Sequence, residues 1–371
     1  MFSVLDPPLA VERLAQIAND TADLAEQQRR LAAGFITVLR ESGMGSVGIP
    51  RSYRGSESSV ASILDLIETV ASADGSAGWV TMIYATSSVT AHYLSEPARE
   101  EIYGTGDPSN RLVAGVLAPR GKVAMVPGGY RLSGRWPFAS GSVDADWIGL
   151  GAIDGEGESR NYLVPMTEVE IVDTWDVVGL RATASHDVAV NDVFVPQHRM
   201  FDLGSAPVTE EAPAQFPIYG LLAAGIASVA LGIARRALDD FVELGEAKVP
   251  TGSKRRLADR GAVQEAVARG EAWWGSGRSF LHGTVAAAAY PATLTDRARL
   301  RAAATLAVES ARHTIDLAYT LAGGSAIYAG SRLQRQLRDI HTATQHMMVA
   351  QPTWELAGRV LMGMETDTSQ L

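Results

Sequence analysis

Residues 338–346 read RDIHTATQH, two histidines five positions apart in a stretch of helical pattern. Five helical residues turn the axis by about 140°, so His341 and His346 face different ways. A metal-binding pair on one helix needs i, i+3 or i, i+4 spacing, so no metal is expected here. His346 would share a face with Thr342 and Asp339, and His341 with Arg338 and Gln345. One of the two can point into a site while the other points out. A histidine titrates near neutrality and suits general acid–base work. From the residues alone, a solvated or core-satisfied histidine accounts for each position as well.

Two other stretches carry chemistry-bearing side chains. In RWPFASGSVDADW, 135–147, Trp136 and Phe138 flank Pro137, and Ala139, Ser140 and Gly141 follow. A turn of small residues with one hydroxyl and free amides could lie close against a flat, polar-edged heterocycle. From spacing alone, a β-turn with two core aromatics is the simpler account. In SKRRLADRGAVQ, 253–264, Arg255 and Arg256 sit at the start of a helical pattern in an otherwise acidic chain. That suits a solvated helix start, or a phosphate site built from arginine forks.

Composition removes several classes. The chain has 371 residues, no cysteine and a net charge of −10. Thiolate nucleophiles, iron–sulfur clusters and cysteine-based zinc sites are excluded, and an acidic surface argues against nucleic acid. GLGAIDG, 149–155, lacks dinucleotide-loop spacing and sits on a strand pattern, so no nicotinamide-binding domain is expected. The first residues lack a basic region followed by an apolar one, which predicts a cytoplasmic protein. Residues 216–234 are uncharged and long enough to span a bilayer, but their glycine, alanine and serine content predicts a buried core helix and no membrane.

The elements that position these residues fall into three textures. Residues 9–104 show three- and four-residue apolar spacing, and 111–200 hold short β-branched runs cut by Gly, Pro and Asp. Helical patterns return at 217–245, 259–289, 294–322 and 331–361. The expected organisation is an N-terminal helical domain at 1–110, a central antiparallel β-domain at 111–205 and a C-terminal helix bundle at 206–371. A hairpin is expected to turn at Gly128–Gly129, and the last residues read as a frayed polar tail.

This order, with SGRWPFASG, VVGLRATASHDVAVNDVFVP, LAGGSAIYAGSRLQRQLRD and HTATQHMMVAQPTWELAGRVLMG, resembles the acyl-CoA dehydrogenase fold (class α+β) over nearly the whole chain. More narrowly it resembles the oxygenase components of two-component flavin monooxygenases, of the p-hydroxyphenylacetate hydroxylase and dibenzothiophene monooxygenase type. Dehydrogenases of this fold carry a catalytic glutamate in a Glu-Gly-Thr sequence after the Arg-Asp pair; here the region reads QHMMVAQP, and His346 matches the histidine of the monooxygenase branch. The resemblance implies diffusible reduced FMN (or FAD) from a separate reductase, O2 as co-substrate, and oxygen transfer to a small aromatic or natural-product substrate through a C4a-hydroperoxyflavin. It places Ser140 and His346 at the reaction, with Trp136, Phe138, Arg181 and Ser185 around the flavin. Arg255 or Arg256 of a neighbouring subunit would hold the phosphate in a homotetramer. Tyr84, Ser87 and His92 are assigned to the substrate pocket. Related phenol hydroxylases carry a histidine near the position of Ser87, from which His92 is offset, and RATAS, 181–185, replaces a more glycine-rich loop. Both departures point away from a simple phenol. The alternatives are an acyl-CoA dehydrogenase using Glu355 or Asp339 as base, and a ligand-binding homologue without catalysis.

Overall fold

The computed structural model describes residues 7–56 and 58–371. Five helices lead: α1 (Pro7–Gln28), α2 (Ala33–Glu41), α3 (Val60–Ala73), α4 (Gly75–Ser88) and α5 (Glu96–Tyr103). Their starts are written in the sequence. Ser59 accepts the amide of Ser62 at 3.1 Å to open α3, and Asp74 accepts that of Ala77 at 2.9 Å to open α4.

Strands β1 (Val113–Val126), β2 (Gly129–Trp136), β3 (Trp147–Ile153), β4 (Ser159–Pro165), β5 (Glu170–Val172), β6 (Asp187–Pro196) and β7 (Met200–Phe201) form one seven-stranded sheet in the order β5-β6-β2-β1-β3-β4-β7. The sheet is mixed: β1 and β3 run parallel while the other pairs are antiparallel. The loop after β2 carries the chain across to the far side of β1, and that crossover makes the parallel pair. The first hairpin turns one residue earlier than expected. Val126 pairs with Gly129, leaving Pro127 and Gly128 as the turn, because Gly128 takes the positive φ of 83°.

The remaining helices are α6 (Ala212–Gln215), α7 (Ile218–Ala247), α8 (Gly261–Ala287), α9 (Leu294–Ala322), α10 (Arg332–Ala343) and α11 (Pro352–Leu361). Helix α7 is long and apolar enough to cross a membrane, but its most apolar window is 83% buried against the rest of the chain. One hydrophobic cluster runs from Leu14 in α1 through Leu132 and Leu150 in the sheet to Leu231, Ile315 and Ile340 in the bundle.

Two further expectations need correction. The helix expected over 331–361 is broken, because residues 344–351 form turns and Pro352 starts a new helix. His346 therefore lies past the end of α10, and the helical face shared with Thr342 and Asp339 does not exist. The tail is not frayed at its tip: Leu371 is buried against Ala298, Ala357 and Val360. Residues 43–48, GMGSVG, do carry the GxGxxG spacing, but they follow a helix and form a 3-10 turn, which is not the strand-to-helix setting of a dinucleotide loop.

Candidate active site

The end of β2 is bent into an unusual turn. Phe138 has φ 64° and Gly141 has φ 73°. The amide of Ala139 donates to the His186 carbonyl at 2.9 Å, and that of Gly141 to the Thr183 carbonyl at 3.2 Å. The Tyr84 hydroxyl donates to the Gly141 carbonyl from below. A Cβ at position 141 would stand 3.1 Å from the Tyr84 ring, and the positive φ would strain it, so only glycine suits both demands.

This turn brings Ser140 into a line of buried hydroxyls. Trp79 Nε1, in α4, donates to Ser140 Oγ at 3.1 Å. Ser140 Oγ lies 2.6 Å from Ser185 Oγ, which lies 2.7 Å from Thr183 Oγ1. Thr183 donates onward to the Leu180 carbonyl at 2.8 Å. All three hydroxyl residues are buried.

The loop that carries Thr183 and Ser185 is clamped from the bundle. Leu180 (φ 52°) and Ala184 (φ 45°) both sit in the left-handed region. Asp339 in α10 accepts the Leu180 amide at 2.6 Å. Gly179 lies directly on α10; a Cβ there would come within 2.1 Å of the Arg338 carbonyl. Burial and then the neighbouring Asp74 carboxylate push Asp339 up to about 7.

On the other side of Trp79 stands His346. The two rings lie 5.9 Å apart at 57°. Nδ1 of His346 accepts the Met348 amide at 3.3 Å, which leaves the proton of the neutral ring on Nε2. Burial, and then the positive charge of Arg301, push its pKa down to about 4. Arg301, in α9, is itself buried. Its Nη2 donates to the Gln370 carbonyl at 2.6 Å, while Nε and Nη1 have no hydrogen-bond partner among the described residues.

The remaining expected site residues divide. Ser185 joins Ser140 as described, and Phe138 is 68% exposed, its ring edge-on to Trp175 at 6.1 Å. Ser87 lines a narrow recess with Thr90, Gly115, Phe201 and Leu222. Trp136 does not wall the site: its ring is wholly buried under the sheet and its Nε1 donates to the Gly151 carbonyl at 2.7 Å. Tyr84 does not offer its ring to a substrate: it is wholly buried and its hydroxyl is taken up by the Gly141 carbonyl. His92 is also wholly buried, with Nε2 on the Gly48 carbonyl at 2.8 Å and Nδ1 on Thr209. Because a carbonyl can only accept, Nε2 carries the proton and Nδ1 accepts; the ring is a structural tie. Arg181 is taken up by the Val177 carbonyl at 2.6 Å, with Asp176 and Glu26 beside it. Arg255 and Arg256 are exposed in the loop before α8, where Arg256 pairs with Asp259 at 3.1 Å. His341 is turned outward onto Asp316 at 2.8 Å. Trp79, Thr183, Trp175 and Arg301 were not singled out by the sequence. For Trp79 the signal was there, a lone tryptophan inside the small-residue run GSAGWV.

What this arrangement can hold is a flat ring with polar edges. Phe138 offers an exposed aromatic wall, and Ser140 offers a buried hydroxyl held in place on both sides. These residues fit a flavin. Elsewhere, Asp65, Glu68 and His282 converge, but Arg278 already binds both carboxylates at 2.6 and 2.9 Å and supplies the charge a cation would bring.

Known proteins place this architecture. Residues 224–351 match the family described as acyl-CoA dehydrogenase, C-terminal domain. An indole-3-acetate monooxygenase of Pseudomonas putida is 32% identical over 96% of this chain and 94% of its own length. XiaF of Streptomyces, solved in complex with FADH2 and glycerol, superposes with a TM-score of 0.89 at 26% identity over 98% of both chains. The 3-HSA hydroxylase of Rhodococcus sp. RHA1 superposes with a TM-score of 0.91 over 100% of both chains, at 24% identity. The chain belongs to the oxygenase components of flavin-dependent monooxygenases built on the acyl-CoA dehydrogenase fold.

Proposed function

We propose that this enzyme binds reduced FMN or FAD, delivered by a separate reductase, and uses O2 to oxygenate a small, aromatic or natural-product substrate at carbon, nitrogen or sulfur. The observation that carries the reading is the Ser140 hydroxyl, held between Trp79 and Ser185 at the foot of the exposed Phe138, with His346 across the Trp79 ring. Bound reduced flavin supplies the activation of O2 and the transferable oxygen atom. The chain's own residues orient the ring and keep water away. Phe138 would cover one face, and Ser140 would meet the polar edge. His346 is neutral at working pH, and the tautomer set by Met348 keeps its proton on Nε2. It therefore supports donation of a hydrogen bond to a substrate oxygen or nitrogen better than removal of a proton, for which a group at about 4 is weak.

The indole-3-acetate and FADH2 named for the relatives make indole-like acids the first substrates to try and FAD the first flavin. Arg255 and Arg256 have no role at Ser140 within one chain, and we assign them to the flavin phosphate of a neighbouring subunit in a homotetramer. A cytoplasmic location would keep it beside such a reductase and fits this reading. A dehydrogenase reading finds no support at this site, because Asp339 is committed to the Leu180 amide and Glu355 is exposed on α11. His346→Ala is expected to lower product formation about a hundredfold while reduced-flavin affinity stays within about threefold. Loss of both together, or of neither, would refute the role given to His346.

A further inference from the structure

The line of hydroxyls at Ser140 has a direction, and that direction is fixed at its far end. The Leu180 carbonyl accepts from Trp175 Nε1 at 3.0 Å and can donate nothing, so the 2.8 Å between it and Thr183 Oγ1 needs the Thr183 proton between the two oxygens. With that proton spent, Thr183 can only accept from Ser185 across 2.7 Å, and Ser185 has then spent its own. Ser140 must therefore donate to Ser185 across 2.6 Å. The indole N–H of Trp79 can only donate, and it takes one of the two lone pairs on Ser140. Ser140 is left with one lone pair and no proton to offer a ligand.

We infer that Thr183, acting through Ser185, makes Ser140 a pure hydrogen-bond acceptor and thereby sets which redox state of the flavin the site binds. This rests on the reading above, in which Ser140 meets the flavin's polar edge, and takes that edge to be the one that carries N5. N5 of a reduced flavin carries a hydrogen and donates; N5 of an oxidised flavin has only a lone pair. A donor facing the Ser140 lone pair completes the network. A lone pair facing a lone pair in a buried site leaves both unsatisfied, which disfavours oxidised flavin by roughly tenfold or more. Thr183 is buried and acts through Ser185, which makes it a positioning residue. The chemistry gives the selection a use: product-state flavin, again without a hydrogen on N5, is released and the next reduced flavin enters.

The test is the ratio of dissociation constants for oxidised and dithionite-reduced FAD, titrated anaerobically on the wild type and on variants. Thr183→Val keeps the side-chain shape and removes the hydroxyl. Ser185 then loses its acceptor and can turn its proton to Ser140, which frees the Ser140 proton for an oxidised N5. The wild type is expected to bind reduced FAD at least tenfold more tightly, and the ratio should collapse toward one in Thr183→Val. Thr183→Ser should restore it. Ser185→Ala, which also releases the Ser140 proton, should collapse it independently, should Thr183→Val not fold. Trp79→Phe removes a donor without changing the direction and should leave the ratio near that of the wild type. An unchanged ratio in both Thr183→Val and Ser185→Ala would overturn the inference while leaving the monooxygenase reading intact. Failure of the wild type to bind FAD or FMN in either state would instead sink that reading.

Discussion

The two polar regions that meet at Trp79 are built on opposite plans. On the Ser140 side, every hydroxyl proton is spent within the chain, from Ser140 through Ser185 and Thr183 to the Leu180 carbonyl, and only one lone pair of Ser140 stays open. On the His346 side, Arg301 leaves two guanidinium nitrogens unpaired in a buried setting, and His346 holds one weak bond from the Met348 amide. Buried polar groups are costly unless satisfied, so a closed network rigidifies its surroundings. A network left open marks the place where something else completes it. In the proposed reading the first side would position a cofactor that must sit the same way in every turnover, and the second would face the more variable substrate.

The largest expected effect breaks the closed side at its centre. Ser140→Ala should cut product formed per flavin oxidised about a hundredfold, measured as coupling of O2 consumption to product, because the one polar contact to the ring edge is gone. If coupling were unchanged, the closed network would be a matter of folding alone. One layer below, Tyr84→Phe removes the hydroxyl that holds the Gly141 carbonyl and should cost about 1–2 kcal/mol, read as a few degrees of Tm, with a smaller loss of coupling.

Asp339 joins the closed side to the bundle and should give it a pH dependence. Its folded pKa of about 7 lies above the ordinary 3.8, so the folded state holds a proton that the unfolded chain releases. The resulting stabilisation is complete below about pH 4 and is lost as pH rises through 7. Asp339→Asn keeps an acceptor for the Leu180 amide and removes the charge. The Tm of the variant should therefore gain on that of the wild type between pH 5 and 8, and a constant difference would show that Asp339 does not titrate there. The smallest effect concerns the open side. Arg301→Met removes a positive charge beside His346 and should raise the imidazole pKa, followed by NMR, although burial, the larger cause, still keeps it below 6.5. A shift downward would mean that Arg301 does not face His346.

How much of this was legible in the sequence differs between the two sides for a physical reason. The fold was readable because helix caps such as Ser59 and Asp74 and the change from helical to strand texture are local signals. Ser140, Ser185 and His346 were reached through motifs. Trp136 and Tyr84 carried the right residue types for a ring-binding site, yet packing placed them beneath the site, not on its surface. Trp79 and Thr183 stayed hidden because their roles come from pairing with Ser140 across 61 residues and through Ser185 across 45. No spacing rule covers such distances. The spacing of His341 and His346 assumes a helix that ends before His346, so the preference for His346 rests on the motif, not on the angle.

The central claim is that this chain holds reduced flavin so that its reaction with O2 is controlled. The protein would be mixed anaerobically with reduced FAD, and separately with reduced FMN, then with oxygenated buffer in a stopped-flow spectrometer. The absorbance of oxidised flavin should return much more slowly than for free flavin, and more slowly than with Ser140→Ala. Return at the rate of free flavin for both cofactors would contradict it.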